Sequence, residues 1–278
     1  MTALKTKLLM KRSVQRFLVP LGREPQPKKW VFIIGCYNSG TTLLSHIMGK
    51  HPEISALPVE GVALSDVWPR PEEFGWNRMW CRCLDAVRLM PGTGMDRIAS
   101  RVRKQWSFSL KNRPLFLEKS IANAARLQFI QHYFSPAYFI YIVRNGYAVA
   151  EGIRRGARPR RWGRNEFGEQ YPIAMCAEQW AKTDEIVTQD RHAVKHIVDI
   201  SYEDFTENPK RVLNRLCDFL DIGPFPNRIV QQNWKIHGVT STICNMNSGS
   251  IGRLSRSDIA TVRQVAGHTL EKYGYLSD

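Results

Sequence analysis

Short, nearly continuous apolar runs alternate along the chain with segments whose apolar residues recur at helical spacing. The runs at 30–34 and 137–143 predict strands buried on both faces of a sheet. Further strands are predicted at 54–59, 113–120 and 195–200. Helices are predicted between and after them, at 41–48, 123–133, 147–155, 171–189, from 208 onward and at 258–273. This alternation predicts an α/β fold of three layers, αβα, around one central parallel sheet.

A glycine-rich turn connects the first predicted strand to the predicted helix 41–48. Its sequence is Gly35-Cys36-Tyr37-Asn38-Ser39-Gly40-Thr41-Thr42. Such a turn aims backbone N–H groups and the positive end of a helix dipole at one point, which favours a phosphate. The glycines keep the G-x-x-x-x-G spacing of a P-loop, but Thr41 stands where a nucleoside triphosphatase has lysine. We therefore expect a P-loop-like turn that holds one phosphate through amides and hydroxyls. A tight connection with glycines for steric reasons is the alternative.

Three other segments carry candidate chemistry. Glu60 follows the predicted strand 54–59, at the sheet edge where open α/β proteins place their function. Residues 66–113 are rich in Trp, Arg and Pro, which predicts either the wall of a substrate pocket or core tryptophans with solvated arginines. The run Arg154–Arg164 is the most basic of the chain, and either binds an anion as a loop or lid, or is a solvated mobile run.

Residues 1–29 are a basic arm in which Leu8, Leu9 and Phe17 stand among lysines and arginines, followed by a single predicted domain at 30–278. The arm is not a secretory signal, because charges interrupt its apolar residues. It fits a helix lying on an anionic membrane surface, and equally a helix packed on the domain or a mobile arm.

The amino-acid composition limits the classes of partner that the protein is expected to bind. The net charge of +15 indicates an anionic partner: a nucleotide, a sulfated or phosphorylated substrate, nucleic acid or a membrane surface. No recognised nucleic-acid module accompanies it, so nucleic acid is not the expected partner. Six cysteines without a C-x-x-C pair or zinc spacing predict reduced thiols, a cytoplasmic protein and no metal site. No run approaches the roughly 18 apolar residues of a membrane span.

Four further features stand in order along the chain. They are the turn 35–42, Arg144 after a central strand, 200–209 with Tyr202-Glu203-Asp204 and Asn208-Pro209, and Ser250-Ile251-Gly252-Arg253. Together these segments resemble sulfotransferases that use 3′-phosphoadenosine 5′-phosphosulfate (PAPS), and Glu118-Lys119-Ser120 also matches that family. Within the family the chain is most similar to carbohydrate and tyrosyl-protein sulfotransferases.

The resemblance implies a role for each matching residue. Glu60 would be the catalytic base, with Asn38 and Lys119 also at the reaction centre. No metal is required. The residues implied to bind PAPS, or its product 3′,5′-bisphosphoadenosine (PAP), are Tyr37, Asn38, Ser39, Gly40, Thr41, Thr42, Arg144, Gly152, Ser250, Ile251, Gly252 and Arg253. From the sequence alone, Glu60 could equally be a solvated carboxylate, and Arg144 an ion-paired arginine at a strand end.

Two positions depart from the family pattern. Asn38 stands where the family usually has lysine or arginine, and Gly152 stands where many relatives have a serine that binds the 3′-phosphate. Loss of one such charge-stabilising contact costs about 3 to 4 kcal/mol, or about 100- to 1,000-fold in rate. We expect Lys119 to replace the missing cation, and Arg154, Arg155 or Ser250 to replace the serine.

The leading hypothesis is therefore transfer of a sulfonate from PAPS to a hydroxyl of a carbohydrate, glycolipid or other acceptor. A noncatalytic or weakly active nucleotide-binding protein on the same fold is the alternative that Asn38 suggests. A P-loop kinase or triphosphatase is disfavoured because the P-loop lysine is absent.

Overall fold

Five parallel strands form the central sheet of the computed structural model, which describes residues 3–226, 233–236 and 239–276. The spatial order is β2-β3-β1-β4-β5. The two strands that follow β1 in the chain therefore lie on one side of it, and the last two lie on the other. The predicted αβα fold class is confirmed. The strand bounds are β1 (Lys29–Gly35), β2 (Ile54–Ala56), β3 (Leu115–Glu118), β4 (Ala137–Val143) and β5 (His196–Ser201).

Helices cover both faces of this sheet, and the first and last elements among the described residues are also helices. The α-helices among the described residues are α1 (Ala3–Leu9), α2 (Arg12–Leu18), α3 (Thr41–Met48), α4 (Leu84–Val87), α5 (Met95–Ser107), α6 (Leu127–Tyr133), α7 (Gly146–Gly156), α8 (Ile173–Asp190), α9 (Tyr202–Glu207), α10 (Pro209–Leu220), α11 (Asn247–Ile251) and α12 (Arg256–Lys272).

Strand β1 is the centre of two separate cores, because successive side chains of a strand point to opposite faces. Trp30, Phe32 and Ile34 pack on the face covered by α5 to α8 and α12. Val31 and Ile33 pack on the other face with α3, α9 and α10. Burial on both faces explains why this strand is a continuous apolar run.

The tryptophans of 66–113 belong mostly to the first core. Trp68, Trp80 and Trp106 are fully buried. Trp106 lies with its ring centroid 5.4 Å from that of Trp68 and 5.6 Å from that of Phe134. Of the two alternatives for this segment, the structure supports core tryptophans, which anchor the loops between them to the sheet.

Several boundaries differ from the predicted ones. Strand β2 ends at Ala56, before the predicted residue 59, and α6 begins at Leu127 because Ile121–Ala125 forms a separate 3-10 turn. Between Gly223 and the last helix, where the sequence pattern predicts neither strand nor helix, lie the antiparallel pair β6 (Trp234–Ile236) and β7 (Val239–Ser241) and the helix α11. Asn208 and Pro209 do open α10, but the Asn208 side chain bonds Asp204 and makes no cap hydrogen bond.

The N-terminal arm packs on the domain with one side only. Gln15 is buried and donates a hydrogen bond of 2.9 Å to the Ala63 carbonyl, and Leu9 joins the first core. The other side leaves Leu4 and Phe17 more than three-quarters exposed. None of the described helices has the length and apolar character needed to cross a bilayer.

Candidate active site

The topology gathers the candidate residues at the carboxyl edge of the sheet. The strand order reverses between β1 and β4, because β2 and β3 lie on one side of β1 and β4 and β5 on the other. Open α/β sheets bind ligands at such a switch point. Gly35 at the end of β1 pairs in register with Ile142 of β4, which brings Arg144 beside the turn that follows Gly35. On the other side of β1, Phe32 pairs with Glu118 at the end of β3.

The turn 36–40 is held in a conformation that leaves little room around it. Asn38 and Gly40 have left-handed backbones with φ of 62° and 89°. A Cβ on Gly40 would lie 2.7 Å from the Tyr202 ring, so this position requires glycine both for its φ and for the close approach of Tyr202. Ser39 and Thr41 are buried and Thr42 is half-buried, directly at the N-terminus of α3.

Arg144 connects the turn to the C-terminal segment. Its Nη1 donates a hydrogen bond of 2.6 Å to the Asn38 carbonyl, and its Nε donates one of 2.7 Å to Asn247 Oδ1. Its guanidinium lies 4.2 Å from the centroid of the Tyr202 ring. Burial lowers the pKa of Arg144, against the opposing effect of Tyr202 and Glu203. Arg144 is buried and forms no ion pair with the described residues, so neither alternative, a surface arginine or an ion-paired arginine at a strand end, describes it.

Two buried polar atoms beside the turn have no hydrogen-bond partner among the described residues. They are the Ser39 hydroxyl and Nη2 of Arg144. Buried polar groups in proteins are almost always paired, and an exception calls for an explanation such as a bound ligand. A guanidinium N–H and a hydroxyl next to a helix N-terminus suit an anionic group, so these residues fit a phosphate of a nucleotide.

Two carboxylates, the half-buried Glu203 and the buried Glu151, hold the C-terminal segment against the rest of the site. Glu203 accepts hydrogen bonds from the Asn145 amide at 3.0 Å and from Asn247 Nδ2 at 2.6 Å. Glu151 accepts from Arg253 Nε at 2.7 Å and Nη2 at 2.9 Å. Burial opposes ionisation of Glu151, but the hydrogen bond from Arg253 and the charge of Arg155 outweigh it and lower the pKa.

The segment 250–253 therefore lies against α7, which begins directly after Arg144. The Ser250 hydroxyl is buried and accepts a hydrogen bond of 3.2 Å from Arg253 Nη2. Ile251 is half-buried and Gly252 is exposed. Arg154, one of the residues expected to replace the missing serine, forms an ion pair of 2.7 Å with Asp258 instead.

Glu60 and Lys119 form an ion pair at the ends of β2 and β3. Lys119 Nζ lies 2.6 Å from Glu60 Oε1, and the Lys119 side chain is far more buried than that of Glu60. Glu60 thus lies at the sheet edge with part of its carboxylate open to solvent, where an acceptor molecule can reach it. The expected replacement of the missing loop cation by Lys119 is not what the contacts show, because Lys119 contacts Glu60 and makes no recorded bond to Asn38.

Glu118 lies directly behind this pair. It accepts a hydrogen bond of 2.8 Å from the Gly61 amide and further hydrogen bonds from the Ser120 hydroxyl and from Asn123. Burial raises the pKa of Glu118 to about 7, against the opposing effect of the Ser120 and Gly61 hydrogen bonds. Glu118 fixes the backbone that carries Glu60, because Gly61 is the next residue.

Asn38 and Gly152, the two residues that depart from the family pattern, lie directly against each other. A Cβ on Gly152 would lie 2.4 Å from Nδ2 of Asn38, so the asparagine side chain fills the space that a serine would need. The Asn38 amide oxygen accepts a hydrogen bond of 2.5 Å from Nη1 of Arg78. The structure thus brings together the turn, Arg144 and Gly152, and adds an arginine from a distant segment.

Sequence reasoning did not identify Arg78, Glu118 or Asn247 as site residues. Glu118 had a signal, since it belongs to the Glu118-Lys119-Ser120 motif at the end of a buried strand. Asn247 lies three residues before the predicted segment 250–253. Arg78 had no signal, because it is one of several arginines in a region without periodic pattern. Among the described residues no group of three or more His, Cys, Asp or Glu could hold a metal ion.

The chain belongs to the sulfotransferase family, whose model, described as "Sulfotransferase family", matches residues 31–226. The predicted family is confirmed by this match. The protein-tyrosine sulfotransferase A of Caenorhabditis elegans is 22% identical over 229 residues, which cover 80% of this chain. The chain spans 57% of the length of that relative.

Solved structures show the same fold. The sulfotransferase domain of the Synechococcus PCC 7002 olefin synthase has a TM-score of 0.57 at 19% identity, covering 92% of this chain and 99% of that domain. A mouse sulfotransferase complexed with PAP has a TM-score of 0.52 at 13% identity, covering 97% of this chain and 94% of the mouse chain. At these identities the likeness concerns the fold.

Proposed function

We propose that this protein transfers a sulfonate group from PAPS to a hydroxyl of an acceptor molecule. The observation that carries the proposal is Arg144, a buried arginine that spans the turn and the C-terminal segment and keeps one N–H without a partner among the described residues. A phosphate at the 3′ position distinguishes PAPS from ATP and AMP, and a buried guanidinium is suited to a phosphate. A PAP complex of a protein with this fold agrees with the proposal.

Each part of the reaction has a residue to serve it. The turn amides, Ser39 and Thr41 would hold the 5′-phosphate, and Arg144 the 3′-phosphate. The acceptor oxygen forms a bond to sulfur while the bond between sulfur and the phosphate oxygen breaks, and that electron pair stays on the phosphate. Glu60 would take the acceptor proton, as a positioned carboxylate at the open edge of the site. Lys119 would hold the Glu60 carboxylate in place through their ion pair.

Calorimetric titration with PAP, with ATP and AMP as controls, tests this proposal. We expect tight binding of PAP alone, because ATP and AMP lack the 3′-phosphate. Arg144→Ala should weaken PAP binding by at least about 10-fold, the value of a lost charge-assisted hydrogen bond. Arg191→Ala is the matched control, since Arg191 lies in the turn before the amino end of β5 and pairs with Asp199 of that strand. Equal or absent binding of all three nucleotides by the wild type would contradict the proposed function.

The acceptor is proposed to be a hydroxyl on a carbohydrate, a glycolipid or another acceptor of moderate size. The net charge of +15 supports an acceptor that carries negative charge. The relative from Caenorhabditis elegans is named for sulfation of protein tyrosine, which is also a hydroxyl acceptor. A screen with labelled PAPS against glycans, glycolipids and tyrosine peptides would identify the class. Labelling of amine acceptors only would contradict a hydroxyl acceptor.

We also propose that the protein works in a reducing compartment, the cytoplasm. All six cysteines are free thiols, and three of them are buried. Rapid alkylation of the exposed Cys244 in freshly lysed cells would agree with this location, and its recovery as a mixed disulfide would contradict it.

A further inference from the structure

Arg78 makes a direct contact with the turn at the position where the family's cation is missing. Its Nη1 donates a hydrogen bond of 2.5 Å to Oδ1 of Asn38. The two residues are 40 positions apart in the sequence. The guanidinium therefore lies over the turn, where a lysine or arginine at position 38 would have placed its own charge.

Helix α7 has a groove into which both side chains fit. Gly152 and Gly156 are one turn apart and so face the same side of the helix. A Cβ on Gly152 would lie 2.4 Å from Asn38 Nδ2, and a Cβ on Gly156 would lie 2.8 Å from Cζ of Arg78. The asparagine and the arginine lie side by side against these two glycines. A side chain at either position would displace one of them.

The segment that carries Arg78 is fixed at both ends. Met79 and Trp80, directly after it, are fully buried. Asn77, directly before it, donates a hydrogen bond of 3.0 Å to Glu72 and accepts one of 3.0 Å from the Arg158 amide. Arg78 itself has a left-handed backbone with φ of 60°, an uncommon conformation for a residue other than glycine. The guanidinium is thus held in place before any ligand binds, which is what electrostatic stabilisation of a transition state requires.

Arg144 is assigned to the 3′-phosphate, and three further cations near the site are already paired with carboxylates. Lys119 pairs with Glu60, Arg155 with Glu151, and Arg154 with Asp258. Within the described part of the chain, Arg78 has no carboxylate at ion-pair distance. Burial lowers the pKa of Arg78, against the opposing effect of Tyr37, Glu60 and Glu72. Its charge is therefore available to an incoming anion.

We propose that Arg78 replaces the missing loop cation and contacts the sulfonate and the bridging oxygen of PAPS. The proposal rests on the proposed function. In the reaction, the acceptor oxygen forms the new bond to sulfur, the bond from sulfur to the bridging oxygen breaks, and its electron pair remains on the 5′-phosphate. The Arg78 guanidinium, oriented by Asn38, stabilises the negative charge that grows on that oxygen. The acceptor proton goes to Glu60, so Arg78 gains and loses no proton.

The test compares Arg78→Ala and Arg78→Lys with Arg82→Ala. Arg82 lies four residues further along, and its exposed ion pair with Glu178 makes it the matched control. Two quantities are measured for each variant: the affinities for PAP and PAPS by calorimetry, and the release of PAP and sulfate from PAPS with water as acceptor. The second readout requires no knowledge of the natural acceptor, because water attacks sulfur and its proton is released.

We expect Arg78→Ala to weaken the binding of both PAP and PAPS by about 10-fold, because the former bridging oxygen stays on the 5′-phosphate of PAP. PAPS hydrolysis should fall by more than binding does, by about 100- to 1,000-fold, because the charge on that oxygen grows in the transition state. Arg78→Lys should retain an intermediate rate because it keeps the charge and loses the fork of donors. Asn38→Lys in the Arg78→Ala background should recover at least about 10-fold of the lost rate, because the cation returns to the turn.

The outcomes separate the two proposals. A wild type that does not bind PAP refutes the proposed function, and the role of Arg78 with it. If the wild type binds PAP, three results overturn the role of Arg78 alone. These are a wild type that releases no PAP from PAPS, an Arg78→Ala variant that matches Arg82→Ala in PAPS affinity and rate, and a double variant in which lysine at position 38 restores nothing.

Discussion

Gly152→Ala tests whether Asn38 and Gly152 share one space. The added methyl group would lie 2.4 Å from Nδ2, 2.8 Å from Cγ and 2.9 Å from Cβ of Asn38. The asparagine cannot simply swing away, because its Cβ is itself in contact and its amide oxygen is bonded to Arg78. Overpacking of this kind costs about 1 to 3 kcal/mol.

The control for this substitution is Gly267→Ala. Gly267 also lies within a helix, α12, and a Cβ there would meet nothing within 4 Å. Both substitutions gain the helix propensity of alanine, about 1 kcal/mol, so their difference isolates the overpacking. We expect Gly152→Ala to be about 1 to 3 kcal/mol less stable than Gly267→Ala in urea unfolding, with an unchanged dependence on urea concentration.

A double substitution tests whether the Asn38 side chain causes the loss of stability in Gly152→Ala. In the background of Asn38→Gly, which suits the left-handed backbone at position 38, the asparagine side chain is gone and Gly152→Ala should cost little. The coupling energy of this cycle should reach about 1 to 3 kcal/mol. Additive effects, within about 0.5 kcal/mol, would refute the conclusion that the two departures from the family pattern form one packed unit.

Three further predictions follow from the site and the arm. Burial raises the pKa of Glu118 from 4.5 to about 7, so the folded chain binds the extra proton between these values. Stability should therefore fall by about 3 kcal/mol as pH rises across this window, and Glu118→Gln should remove that slope; equal slopes in urea unfolding would contradict it. Glu60→Gln should lower PAPS turnover by at least about 100-fold while leaving the PAP dissociation constant within about twofold, and an unchanged rate would exclude Glu60 as the base. Phe17→Ser should weaken co-sedimentation with phosphatidylserine vesicles by about 10-fold relative to the exposed control Met246→Ser. Equal binding of these two variants would mean that the arm makes no membrane contact.

The sequence predicted the features whose structure depends on residues that are adjacent in the chain. The continuous apolar runs of β1 and β4 and the turn between Gly35 and Gly40 were predicted because strand burial and tight turns impose their requirements on adjacent residues. Arg144 was predicted because it ends a buried strand in a family motif. The short strand β2 and the helix α6 were predicted with wrong boundaries, since local turns compete with helix and strand there and tertiary packing decides between them.

What the sequence determined by itself is the order of the five strands of the central sheet, the glycine-rich turn after the first of them and the family. Only the tertiary structure decided which charges meet at that turn. Lys119, the cation expected beside Asn38, pairs with Glu60, and Arg78 contacts Asn38 in its place. The physical reason is that this contact requires a segment without periodic pattern to be anchored by the core residues Met79 and Trp80, and a helix that lacks two side chains where the pair lies. The contact between Arg78 and Asn38 depends on how distant segments pack together, so the spacing of residues along the chain does not predict it.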